Sequence, residues 1–125
     1  MTPSSLFRQT LSTHGLIAIL RGLRPDEARD IGLALHGAGI RLIEVPLNSP
    51  DPLQSIRILR EALPDDTLVG AGTVLQPEAC AQIAAAGGQL VVMPHSDPAV
   101  IRAAKALDLA CAPGVATPTE GFAAL

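Results

Sequence analysis

Short apolar segments alternate with longer amphipathic segments along the chain. The apolar segments are nearly continuous and bounded by Gly or Pro, and they comprise residues 16–20, 42–45, 67–70, 89–93 and 107–111. Strands that are buried on both faces of a parallel sheet have this pattern. The sequence therefore predicts five strands, each followed by a helical segment, which is the repeat of a βα unit.

The segments between the predicted strands carry signals for helix starts and helix ends. Asp26 and Glu27 fit a first helical turn after Pro25, because acidic side chains are favoured near the positive end of the helix dipole. A capping residue before a proline predicts two further helix starts, at Pro98 and Pro118. Glycines predict helix ends at Gly37 and Gly87.

Successive βα units that return the chain in the same direction form a parallel sheet. No Gly-x-Gly-x-x-Gly motif follows the first predicted strand, so a dinucleotide-binding fold has little support. An α/β fold of the (β/α)8 TIM-barrel type is the favoured prediction, although such a barrel has eight units in about 250 residues. Residues 1–125 are therefore predicted to form one domain that supplies about the first five units.

Composition and charge exclude several classes of protein. A hydrophobic content of 48% with a net charge of only −3 argues against disorder. The acidic balance and 2% aromatic content argue against a nucleic-acid partner. No apolar run is long enough to span a membrane and no secretory signal is recognisable, so we expect a cytoplasmic protein. The two cysteines and three histidines show no ligand spacing, and no metal is expected.

Candidate functional residues lie where the predicted strands end. Ligands of parallel α/β sheets bind at the carboxyl ends of the strands. One cation, one carboxylate, one hydroxyl and several glycines and prolines converge there, at residues 21–22, 44–48, 70–73, 94–95 and 113–114.

Glu44 is the most informative of these residues, since it interrupts an apolar strand. Burial of a carboxylate raises its pKa towards neutrality, which suits a general acid or base. The structural alternative is a strand-end glutamate paired with a neighbouring arginine. Arg21 offers a fork of donors for a carboxylate or phosphate, or is simply a surface residue at the start of a loop. Lys105 is the only lysine and lies in a helical stretch, where we expect it to be solvated.

Five stretches together resemble the bacterial 2-keto-3-deoxy-6-phosphogluconate/6-phosphogalactonate aldolase family. Two of them, Glu-Val-Pro-Leu-Asn-Ser at 44–49 and Gly-Ala-Gly-Thr-Val at 70–74, are specific in combination. The others comprise residues 16–22, 94–95 and 113–120. The resemblance covers almost all of the chain beyond about residue 14 and is strongest to the 6-phosphogalactonate branch.

The resemblance implies a class I aldolase on a (β/α)8 barrel, usually a homotrimer, that needs no metal or cofactor. Such an enzyme cleaves a phosphorylated 2-keto-3-deoxy sugar acid to pyruvate and glyceraldehyde 3-phosphate through a lysine Schiff base. Glu44 matches the family's proton-transfer glutamate, and Arg21 matches its substrate-anion arginine. The remaining substrate-binding residues that the resemblance implies are Thr73, Gly72, Pro94 and Asn48. The gluconate branch tends to carry an arginine where Asn48 stands, which favours the galactonate branch.

One departure from the family concerns the nucleophile. The family's Schiff-base lysine lies on the sixth strand, a short distance past residue 125, and Lys105 does not match its position. We therefore expect these residues to be the N-terminal part of a longer enzyme and to be inactive alone. The alternatives are a non-catalytic oligomerising or sugar-phosphate-binding fragment, an aldolase specific for the 6-phosphogluconate substrate, and another phosphate-binding barrel such as a thiamine-phosphate-synthase-like enzyme.

Overall fold

A computed structural model describes residues 1–125, which form five strands and six helices. The strands are β1 (Ala18–Ile19), β2 (Leu42–Pro46), β3 (Leu68–Gly72), β4 (Leu90–Met93) and β5 (Ala110–Pro113). The helices are α1 (Pro3–Thr13), α2 (Pro25–Gly37), α3 (Pro52–Ala62), α4 (Glu78–Ala85), α5 (Pro98–Ala106) and α6 (Pro118–Ala124). None of these helices combines the length and apolar character that a membrane crossing requires.

The five strands form one parallel sheet in which each strand pairs with its neighbour in sequence, in the order β1-β2-β3-β4-β5. The parallel α/β arrangement predicted from the sequence is confirmed. Because all strands run the same way, their carboxyl ends lie along one rim of the sheet. The candidate residues lie along that rim except Glu44, which is predicted at a strand end but lies in the middle of β2.

The two faces of the sheet are covered differently. Alternate residues of a strand point to opposite faces, so Ile43 and Val45 of β2 join a large core with side chains of α2 to α5. We call this side the outer face. The other side, the inner face, receives Leu42 and Glu44 of β2. Its small apolar cluster consists of Leu42, Leu68, Leu90 and Ala110.

Helix α1 has no counterpart among the predicted elements. Thr2 caps it by accepting a hydrogen bond from the Ser5 N–H (3.2 Å). Leu6 and Phe7 then pack on the apolar cluster of the inner face. The pattern of apolar segments does not reveal this helix, because only one side of a single short helix is covered by the sheet.

The first, third and last predicted strands differ from the structure by two residues or more at one end or both, and β3 continues to Gly72 rather than ending at residue 70. The first is limited to Ala18–Ile19, since the pairing of Ala18 with Ile43 leaves Leu16 beyond the start of β2. The last begins at Ala110 rather than at residue 107. Leu107 and Asp108 instead close the end of α5, and Asp108 has a left-handed backbone (φ +56°).

The predicted helix signals are confirmed, with α2, α5 and α6 starting at their prolines. The Asp97 carboxylate accepts a hydrogen bond from the Ala99 N–H (2.8 Å) at the start of α5. At α6 the Thr117 hydroxyl accepts from the Glu120 N–H (3.2 Å), and the bond that Thr117 donates in return is the main cause of the lowered pKa of Glu120. Helix α2 ends at Gly37, and Gly87 follows the end of α4 with φ +87°.

Candidate active site

Glu44 lies in the middle of β2 on the inner face, and its residue is only 3% exposed. Its Oε2 atom is buried and makes no hydrogen bond. Burial raises the pKa of Glu44 to about 7, and the nearby positive charge of Arg21 opposes this rise. A carboxyl group with this pKa is present in both protonation states near neutral pH, which suits proton transfer in either direction.

Gly72 at the end of β3 makes room for the Glu44 side chain. A Cβ atom on Gly72 would overlap the Glu44 carboxylate. Gly70 is equally constrained, because a Cβ there would overlap the backbone of Leu90 on β4. Both glycines lie within β3, which continues to Gly72, two residues beyond the end of the predicted strand. Gly72 therefore acts on the site through Glu44, a role that the sequence motif alone does not indicate.

Arg21 lies in a tight turn directly after β1 and is exposed. The turn is closed by a hydrogen bond from the Leu23 N–H to the Leu20 carbonyl (3.2 Å), and Gly22 has φ +80°. Arg21 forms no salt bridge, so its charge acts on Glu44 only through space. The structural alternative, in which Glu44 is neutralised by a directly paired arginine, is not observed. The donors of Arg21 are free to bind an anion.

Thr73 and Asn48 lie next to each other at the ends of β3 and β2. They share a shallow cleft of about 250 Å³, which is lined by Leu47, Asn48, Thr73, Leu75, Gln76 and Ala79. Thr73 has a left-handed backbone (φ +53°), which is rare for a β-branched residue and costs free energy. Such strain is found preferentially at functional sites. The cleft places one hydroxyl and two amide groups at the rim.

Pro94 follows β4 directly and is exposed at the same rim. The loop after β5 approaches it closely: a Cβ on Gly114 would lie 2.5 Å from the Pro94 carbonyl oxygen. The Gly114 N–H also donates a hydrogen bond to the His95 carbonyl (3.3 Å). The His95 side chain is exposed, and only the backbone of this residue takes part in the contact.

Lys105 lies at the end of the sheet opposite to these residues. It occupies the last turn of α5, which leads into the amino end of β5, and it is exposed. It shares a cleft with Arg8 of α1, Cys111 and Pro113, and neither Arg21, Glu44 nor Thr73 lines that cleft. The only lysine of the sequence therefore lies away from Glu44, on the side of the sheet where the strands begin. No group of three or more His, Cys, Asp or Glu side chains is arranged to hold a metal ion.

Sequence reasoning assigns no role to Ser49, although it takes part in the geometry of the rim. Ser49 is buried (7% exposed) in the loop after β2. Its Oγ atom accepts a hydrogen bond from the Gly22 N–H (3.0 Å), so it links the loops that follow β1 and β2. No local pattern could have identified this contact, because its partners are 27 residues apart.

The amino-acid sequence is similar to those of curated aldolases. It is 50% identical over 109 residues to the probable 2-dehydro-3-deoxy-6-phosphogalactonate aldolase of Rhizobium meliloti (strain 1021), covering 87% of this chain and 51% of that protein. It is 48% identical over 110 residues to the 2-dehydro-3-deoxy-6-phosphogalactonate aldolase of Escherichia coli (strain K12), covering 88% and 54%. The KHG/KDPG aldolase of the same strain is 29% identical, with 88% and 51% covered. The chain spans about half the length of the curated relatives it matches.

Solved structures of such enzymes have the same fold. A native KDPGal structure superimposes with a TM-score of 0.84 at 47% identity, covering 90% of this chain and 54% of that one. The KDPG aldolase from Legionella pneumophila with pyruvate captured as a covalent carbinolamine intermediate gives a TM-score of 0.84 at 26% identity, covering 99% and 58%. The five βα units thus correspond to about half of a TIM barrel. A family model described as KDPG and KHG aldolase matches residues 7–125, and the chain belongs to this family.

Proposed function

We propose that this protein works as a class I aldolase that cleaves 2-dehydro-3-deoxy-6-phosphogalactonate to pyruvate and glyceraldehyde 3-phosphate. Residues 1–125 contribute its proton-transfer group and part of its substrate pocket. The observation that carries the proposal is Glu44, a carboxyl group buried on the inner face with its Oε2 unpartnered and a pKa of about 7.

Glu44 has the properties that carbon–carbon cleavage requires of an acid–base group. As the bond between C3 and C4 breaks, the carboxylate accepts the proton of the C4 hydroxyl, which becomes the aldehyde. The bonding electrons pass to the Schiff base on C2, which gives an enamine. Glu44 then returns the proton to C3, and hydrolysis releases pyruvate. Because the pKa of Glu44 is near neutrality, the group can serve as acceptor in the first transfer and as donor in the second at the same pH.

The other rim residues bind and orient the substrate in this proposal. Arg21 pairs with the carboxylate of the sugar acid, since its guanidinium group is exposed and forms no salt bridge. Thr73, with Gly72, holds the pyruvate end, and Asn48 contacts the polyhydroxylated part from the shared cleft. Pro94 fixes the backbone at the rim on the β4 side. The amine nucleophile comes from polypeptide outside these residues, because Lys105 lies at the opposite end of the sheet.

The galactonate substrate is favoured over its gluconate epimer by two observations. The chain is 48–50% identical to 2-dehydro-3-deoxy-6-phosphogalactonate aldolases and 29% identical to a KHG/KDPG aldolase. The second observation is that Asn48 is uncharged, whereas the gluconate branch of the family tends to carry an arginine at this position. A direct comparison of kcat/KM for the two epimers decides between them: a higher value for the gluconate epimer would contradict this assignment.

The proposal is tested by reconstitution. Residues 1–125 are co-expressed with the part of the Escherichia coli relative that follows the matched region, and the complex is treated with pyruvate and borohydride. We expect intact-mass analysis to find a reduced pyruvate adduct on the E. coli part and none on residues 1–125. The complex should cleave the sugar acid, and Lys105→Ala should leave both results unchanged. A well-formed complex without adduct or cleavage would contradict the proposal.

A second candidate, a non-catalytic oligomerising fragment, is favoured by one observation. Several large apolar side chains are exposed, among them Ile19 on the inner face (57%) and Phe122 on α6 (78%). Apolar surface of this kind promotes association. This candidate predicts self-association without turnover, whereas the aldolase proposal predicts a homotrimer that turns over and works in the cytoplasm, where phosphorylated sugar acids occur. Sedimentation velocity combined with the cleavage assay separates the two.

A further inference from the structure

Ser49 connects the strand that carries Glu44 to the turn that carries Arg21. The Ser49 N–H donates a hydrogen bond to the carbonyl of Pro46, the last residue of β2 (2.9 Å). The Ser49 hydroxyl oxygen accepts a hydrogen bond from the Gly22 N–H (3.0 Å). The side chain is therefore fixed at the end of one strand while it holds the backbone beyond another.

The hydrogen bond acts on the central peptide of a four-residue turn. Residues 20–23 form this turn, with Arg21 second and Gly22 third. The φ of +80° at Gly22 is characteristic of a type II turn, which differs from a type I turn by a flip of the peptide between its two central residues. The N–H of that peptide belongs to Gly22 and points at Ser49. The hydroxyl therefore stabilises one of the two peptide orientations.

The conformation of this turn depends on the hydrogen bond, because no packing contact at Gly22 would hold it otherwise. A Cβ atom on Gly22 would meet no heavy atom within 4 Å, so no side chain packs against that side of the residue. The Leu20 N–H bonds to the Glu44 carbonyl (2.9 Å), but this contact ends before Arg21. Between Leu20 and the buried Leu23, the Ser49 hydroxyl is the side-chain group that holds the backbone of the turn.

We propose that Ser49 is a positioning residue that holds the peptide between Arg21 and Gly22 and so directs the Arg21 guanidinium group towards the substrate carboxylate beside Glu44. This inference rests on the proposed function, because it assumes that Arg21 binds that carboxylate. Ser49 itself does not touch the reacting atoms. Its loss should weaken substrate binding and leave the proton transfer at Glu44 largely intact.

The test is the steady-state kinetics of Ser49→Ala in the protein as its host produces it. We expect KM for the sugar acid to rise about five- to tenfold with kcat within about twofold, the effect of one lost hydrogen bond on binding. Ser49→Thr keeps the acceptor and should restore KM. Ser55→Ala is the matched control, because Ser55 is also a buried serine after β2 but its hydroxyl makes no hydrogen bond. The KM of this variant for the sugar acid should not change.

Three results would overturn the inference: an unchanged KM in Ser49→Ala, an equal rise in Ser55→Ala, or no recovery in Ser49→Thr. If Ser49→Ala fails to fold, Ser49→Cys replaces it, because a thiol is a weak acceptor and should raise KM where threonine does not. Two further variants separate this inference from the proposed function. An unchanged KM in Arg21→Ala would show that Arg21 does not bind the substrate carboxylate. Full activity in Glu44→Gln would contradict the aldolase mechanism itself.

Discussion

Glu44 and Ser55 both bury a side-chain oxygen that makes no hydrogen bond, but they lie on opposite sides of the sheet. Ser55 belongs to α3, whose neighbouring residues Ile56 and Leu59 pack into the core of the outer face. Glu44 lies on the inner face below the rim that carries Arg21. The Ser55 hydroxyl is fully buried on the side of the large apolar core. The Glu44 carboxylate experiences the positive charge of Arg21, which forms no salt bridge.

The effect of a buried oxygen without a hydrogen bond depends on what surrounds it. In a packed core it only lowers stability, by about 1–3 kcal/mol in typical proteins. On the inner face the same kind of cost keeps a carboxyl group ready to exchange a proton near neutral pH. The outer face therefore holds the large apolar core, and the inner face holds the carboxyl group that we propose to transfer the proton.

The largest expected effect is that of Glu44→Gln on activity. In the reconstituted enzyme we expect kcat to fall by about 10²- to 10⁴-fold, the usual contribution of a general acid–base group. Pyruvate adduct formation by borohydride trapping shows whether the pocket is still intact. If the variant cleaves the sugar acid at more than about a tenth of the original rate, the buried carboxyl group of the inner face is not the proton-transfer group.

Glu44 should also make the stability of the chain depend on pH. Its pKa is 4.5 when unperturbed and about 7 in the folded protein, so the folded state binds the proton more tightly. The free energy of unfolding should therefore fall as pH rises from about 4.5 to 7 and level off above that, by roughly 3 kcal/mol in total. Urea unfolding at pH 5 and pH 8 measures the difference, and Glu44→Gln should abolish this component.

Gly72→Ala should damage the inner face by steric overlap. The added methyl group would overlap the Glu44 carboxylate, so we expect a loss of about 1–3 kcal/mol in unfolding free energy and a sharp drop in activity. Gly121→Ala in α6 is the control, since its methyl group would meet only Val115, at 4.0 Å. Equal unfolding free energies for the two variants in urea titrations would show that Gly72 is not constrained by Glu44.

The smallest expected effect is that of Ser55→Ala on the outer face. Removal of a buried hydroxyl without a partner, at a position where alanine favours the helix, should stabilise the chain by about 1 kcal/mol. Thermal and urea unfolding measure the change. A destabilised variant would mean that the Ser55 hydroxyl makes a contact that supports the core.

The parts of the fold that depend on local pattern could be predicted from the sequence. The apolar segments identify β2, β3 and β4, and prolines with acidic or hydroxyl neighbours identify three helix starts. Glu44 could also be singled out, because a carboxylate in a buried strand is costly without a function or a partner. The end of α5 could not be placed, since nothing local to Asp108 indicates its left-handed backbone.

Contacts between neighbouring strands and loops could not be predicted from local sequence pattern. The role of Gly72 depends on the register of β2 against β3, which brings the Glu44 side chain over it. The bond between Ser49 and Gly22 likewise depends on two loops that only the folded sheet brings together. The sequence therefore reveals the groups that carry charge, but it indicates neither the contact of Gly72 with Glu44 nor the hydrogen bond of Ser49.

The strand order has a consequence for the way the protein is made. Because every strand pairs with the one that precedes it in sequence, no strand has to wait for a distant segment before it finds its place. A polypeptide leaving the ribosome from its amino end can add one βα unit at a time, and such sequential docking limits the exposure of unpaired segments. Arg21, Glu44 and Thr73 then join the rim in the order of their translation, so the site is assembled by growth of the sheet.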